Sequence, residues 1–116
     1  MAQPWLFFRP LRLPLAGHEL DAATVLNLTD ETALRDALAQ AFADLSWDSA
    51  HAARATHGGQ WLEWRVPQAV EETLSLRSSL RADHAPLVQD LCDRFGWLAF
   101  DERAMCFQPH RLPMQA

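Results

Sequence analysis

The sequence predicts an α+β fold: an antiparallel sheet of five to seven strands with two helices packed on one face, ferredoxin-like or a relative of that architecture. Three observations carry this prediction. Two segments, opening near Asp30 and Asp83, repeat apolar residues at the three-and-four spacing of a helix buried along one stripe. Short runs between and around them have strand composition or a two-residue alternation. Helix, then tryptophan, then strand also occurs twice, at Trp47 and Trp97, which suggests two β-α-β halves related by a rough two-fold.

Residues 5–13, WLFFRPLRL, read as a strand with Trp5, Phe7, Leu11 and Leu13 on one parity. Pro10 lacks the amide that a central ladder needs, which predicts an edge strand or a bulge. A loop around Gly17 and a short strand at 23–28 follow. Thr29 and Asp30 offer a helix N-cap, and Leu34, Ala37, Leu38, Ala41, Phe42 and Leu45 form one stripe that stops near Ser46. Residues 49–56 and 60–66 flank His57-Gly58-Gly59, a hairpin signal because glycine reaches positive φ without a clash.

The second of those strands alternates cleanly. Leu62, Trp64 and Val66 point one way, and Trp61, Glu63 and Arg65 the other. Residues 73–80 place Leu74, Leu76 and Leu80 against Thr73, Ser75 and Arg77, as in a sheet with one wet face. Asp83 then reads as the N-cap of the second helix, with Pro86 tolerable in its first turn. Its stripe is Leu87, Val88, Leu91, Cys92 and Phe95, and Gly96 supplies the left-handed stop. Trp97–Phe100 and Ala104–Phe107 pair around a turn begun by Asp101.

A chain of 116 residues fits one domain, assigned to 1–108, with 109–116 as a flexible tail. It is long enough to fold without a metal or disulfide. Apolar residues at 49% and charged residues at 22% exclude disorder of the body. The net charge of −5, from 15 acids against 10 bases, lacks the basic footprint that phosphate backbones require, so nucleic acid is not expected as a partner. Neither is a membrane, because no apolar run approaches bilayer length. Arg9, Pro10, Arg12 and Pro14 interrupt the apolar N-terminal run, unlike a signal peptide. With only Cys92 and Cys106, both in apolar segments, a reducing, cytoplasmic setting is expected.

Catalytic and ligand motifs are missing. The 4 glycines form no phosphate-cradling loop and no nucleophile elbow. His18, His51, His57, His84 and His110 show no helical metal-ligand spacing. Cys92 and His84 would stand about 12 Å apart along a helix, beyond hydrogen-bond reach. Glu71-Glu72 and Asp101-Glu102 are adjacent acids, whose side chains diverge in a strand and solvate in a turn. No catalytic residue, cofactor or metal is therefore expected.

Tryptophan is the better clue, with 5 Trp and no Tyr. Trp47, Trp64 and Trp97 belong to the core by position. Trp61 falls on the opposite face, beside Glu63 and Arg65, with Arg77 on the matching parity of its strand and Arg54 able to join. Either that face is open, or the N-terminal segment folds over it. Trp and Arg are enriched where proteins bind proteins. The expected function is a non-catalytic interaction module, an inhibitor, immunity-type or regulatory partner, using Trp61, Arg65, Arg77 and Arg54 to bind another protein or a second copy of itself. The alternative is a small enzyme or small-molecule-binding protein with a pocket between sheet and helices, where His51, His57 or Arg65 would converge.

Overall fold

The computed structural model describes residues 2–115. They form one antiparallel sheet of nine strands and two helices. In chain order these are β1 (Ala2–Pro10), β2 (Val25–Asn27), α1 (Glu31–Ala41), β3 (Ser46–Trp47), β4 (Ala52–His57), β5 (Gln60–Arg65), β6 (Ser75–Ser79), α2 (Ala85–Phe95), β7 (Leu98–Phe100), β8 (Met105–Phe107) and β9 (Met114–Gln115). Across the sheet the order is β3-β4-β5-β6-β1-β7-β8-β9, with β2 paired to the second half of β1. No helix among the described residues is long and apolar enough to cross a membrane.

Nine strands replace the expected five to seven. The surplus lies mainly in β3 and β9, of two residues each, too short to show an alternation in the sequence. β9 arises within the segment expected to be a flexible tail, where Met114 pairs with Cys106.

The first strand also departs from expectation, because it lies in the middle of the sheet rather than at an edge. Its first half pairs with β6, its second half with β2, and Leu6–Phe8 with β7 on the other side. Both of its prolines fit there for one reason. Phe7 N donates to Leu74 O, so odd-numbered amides face β6 and even-numbered ones face β7. Pro4 and Pro10 therefore lack a donor only where β7, three residues long, does not reach.

Both helices cover the face to which Trp5, Phe7, Leu62, Trp64 and Leu76 point, making one core with Leu34, Leu38, Val88 and Leu91. Asp30 caps α1 by accepting from Ala33 N. The helix ends at Ala41, earlier than its apolar stripe implies, because Phe42 turns extended at φ −129°. Phe42 is still buried, so the stripe reads correctly past the helix end. Trp47, expected in the core, is half-buried with the Arg35 guanidinium 3.9 Å from its ring centre. At α2 the N-cap position is His84 rather than Asp83, although the Asp83 carboxylate accepts from Ala85 N. Gly96 stops α2 at φ 72°, a backbone conformation that other residues adopt with strain.

A smaller core lies on the second face of the sheet. Leu15 packs there with Leu98 and Cys106, bordered by Phe8, Leu20 and Phe100. Residues 11–24, the link from β1 to β2, thus form a strap over the β7–β8 side. Gln108 holds the strap down. Its buried side chain accepts from Leu15 N at 2.9 Å and donates to Leu15 O. The strap leaves the β4–β6 side of this face uncovered.

Candidate binding face

The uncovered face is laid out by strand register. Arg54 of β4 stands opposite Glu63 of β5, and Glu63 opposite Arg77 of β6. The next row runs Ala52, Arg65, Ser75, Leu6 and Phe100 across β4, β5, β6, β1 and β7. On the other side of the Glu63 row, Thr56 faces Trp61. The outward parity assigned to Trp61, Glu63 and Arg65 is therefore the one the fold adopts.

Arg54, Arg65 and Arg77 line a single depression of ≈ 250 Å³ together with Glu63, Asp48 and Ser75. Two of these arginines are engaged within the chain. Arg54 Nε lies 2.9 Å from an Asp48 carboxylate oxygen, and Arg77 Nη1 lies 3.4 Å from Glu63 Oε2. All four side chains are exposed, so each pair contributes well under about 1 kcal/mol. Arg65 has no ion pair among the described residues. Trp61 shares the face but not the depression. It is 39% exposed and lines a separate hollow with Gln60, Ser79, Leu80 and Arg81. Leu80, expected inside with Leu74 and Leu76, is exposed because β6 has ended at Ser79.

The part of the face that sequence reading missed is apolar. Leu6 is 46% exposed although it belongs to the middle strand, and Phe8 and Phe100 stand beside it edge to face with ring centres 5.6 Å apart. A second depression, of ≈ 410 Å³, joins Leu6 and Phe8 to Arg65, Ser75, Glu71 and Glu72. The available signal was that Leu6 and Phe8 are apolar on the parity opposite Trp5 and Phe7.

Elsewhere the structure brings together two histidines that the sequence keeps apart. His57, at the β4–β5 turn, and His84, before α2, bring their Nδ1 atoms to 2.9 Å. Burial, and then the neighbouring His57, push the His84 pKa below its ordinary 6.5, while the Ser79 backbone and Asp83 act the other way. Among the described residues no three His, Cys, Asp or Glu side chains converge as a metal site would require. Cys92 and Cys106 are buried free thiols. Burial raises both, Cys106 to about 11, so neither is a nucleophile at neutral pH.

A cleft of ≈ 350 Å³ does lie between the first turns of α1 and the Phe95–Trp97 corner, bordered by Arg9, Asn27 and Asp30. Neither His51 nor His57 lines it, and Arg65 belongs to the open face instead. No protein-family model, curated protein or solved structure matches the chain.

Proposed function

We propose that this chain is a non-catalytic interaction module that binds a protein through the open sheet face, as an inhibitor, immunity-type or regulatory partner, or as a homodimer. The observation that carries the reading is Leu6. A leucine on the middle strand of a sheet is where burial is expected, yet 46% of its surface meets solvent. It is continuous with Phe8, Phe100 and the arginine rows. The sheet edges support the same conclusion. The end strands β3 and β9 have two residues each and the branching strand β2 has three, so the edges give an added strand few residues to pair with, which favours docking on the face. Arg54, Arg65, Arg77 and Trp61 form the polar rim and aromatic outpost of that surface.

The central order β7-β1-β6-β5, with both helices on one face, also supports a ferredoxin-like core to which the remaining strands are appended. The cleft bordered by Arg9 and Asp30 supports a second reading as a small-molecule-binding protein. A metabolite that raised the melting temperature and lost its effect in Arg9→Ala would favour it.

The test of the main reading compares the native chain with Leu6→Glu. Sedimentation velocity reads self-association, and affinity capture reads other partners. Leu6→Glu is expected to keep the native circular-dichroism spectrum while losing the associated species. If the native chain is monomeric and captures nothing that the variant fails to capture, the reading is wrong.

A further inference from the structure

We infer that the open face docks on the same face of a second copy of this chain, in a two-fold dimer where Arg65 of each copy meets Glu71 and Glu72 of the other around Leu6 and Phe8. This rests on the interaction-face reading and names the occupant. A two-fold interface must be complementary to itself, since residue i contacts j while j contacts i. Such a surface needs both charges and an apolar centre within one patch. The depression over β1 and β6 has that composition, with Leu6 and Phe8 on one side, Arg65 on another, and Glu71 and Glu72 on the wall.

The charges there are also unspent. Of the three arginines around the open face, Arg54 and Arg77 have a carboxylate partner within the chain, whereas Arg65, like Glu71, has no ion pair among the described residues. Among the described residues, the Glu72 carboxylate accepts from the Gln68 amide alone, at 2.8 Å. A partner of a single charge would satisfy one side of this rim and oppose the other. The same patch turned through a two-fold satisfies both. Each copy carries a net charge of −5, so two copies repel at long range, and attraction has to come from local pairs and apolar cover.

The experiment uses charge reversal on the full chain, read by sedimentation equilibrium. Arg65→Glu is expected to weaken the native dimer more than about tenfold, and so is Glu71→Arg/Glu72→Arg. Mixed in equal amounts, the two variants should form a heterodimer, because opposite charges then face each other at both contacts. These side chains are exposed, so the core is untouched, and only the Glu72 contact to the Gln68 amide is lost. Glu71→Arg alone serves if the double variant perturbs the loop. A mixture that stays monomeric, or a dimer indifferent to these reversals, overturns the inference. So does a native chain that is monomeric at millimolar concentration. If Leu6→Glu still abolishes capture of another protein in that case, the interaction face stands and only its occupant changes.

Discussion

His57 Nδ1 and His84 Nδ1 stand 2.9 Å apart, a separation that allows one shared proton and no more. One imidazole donates and the other accepts. A proton on both Nδ1 atoms would set two N–H groups against each other, and doubly protonated rings would add two cations in contact, with His84 buried from water. The contact ties the tip of the β4–β5 hairpin to the start of α2, and Ser79 Oγ, donating to Gln60 Oε1 at 3.0 Å, runs beside it. The hairpin turn has Gly58 and Gly59 at φ 61° and 76°, the doubly positive geometry of a tight two-residue turn.

Stability should therefore fall on mild acidification. The folded protein holds His84 below its ordinary 6.5, so the unfolded chain takes up a proton that the folded chain refuses. Fewer protons bound in the native state means stability is fully present above about pH 6.5 and is lost as pH drops below it. His57 opposes charge on His84, and Asp83 and the Ser79 backbone partly offset the burial. In urea titrations between about pH 5 and 7.5, the native chain should lose stability more steeply than His84→Gln. Parallel curves for the two proteins would show that this pair does not govern the dependence.

The His57–His84 contact illustrates what sequence periodicity can and cannot reach. Alternation placed Trp61, Glu63 and Arg65 on one face of β5, because each residue's face depends only on its immediate neighbours. The stripe of α2 was legible for the same reason, with Val88, Leu91 and Cys92 buried. The histidines lie 27 residues apart and meet only once the sheet has assembled. The central position of β1 is likewise set by distant pairings such as Ala2 with Ser79, which no local pattern encodes. Leu6 and Phe8 were overlooked because β1 was read for its core parity. Once the strap of residues 11–24 settles over β7 and β8, the other parity becomes half cover and half open surface.

Gln108 should prove a sensitive position for that strap. Its carboxamide satisfies both the N–H and the C=O of Leu15, and its own backbone oxygen accepts from Gln89 Nε2 at 2.6 Å. Gln108→Leu retains bulk but leaves the buried Leu15 amide and carbonyl without partners. A loss of about 1–3 kcal/mol is expected. Hydrogen exchange should quicken first at Leu15 and Leu98, before the main core opens. A variant as stable as the native chain, with Leu15 equally protected, would mean the strap is held by apolar contact alone.

Trp61 and Trp97 form a matched test of which face is core and which is binding surface. Trp97 is 6% exposed, stacks on Phe95 with ring centres 4.8 Å apart, and meets Phe7 edge to face at 5.8 Å. Trp97→Ala would empty that corner beneath the helices and cost about 3–5 kcal/mol. Trp61 is 39% exposed and faces Thr56 across the hairpin. Trp61→Ala should lower stability by no more than about 1 kcal/mol while weakening association through the open face. Guanidinium unfolding of a dilute, monomeric sample separates the two effects, since association then adds nothing to the midpoint. Equal losses from both substitutions would place Trp61 in the fold's own core and remove it from the binding surface.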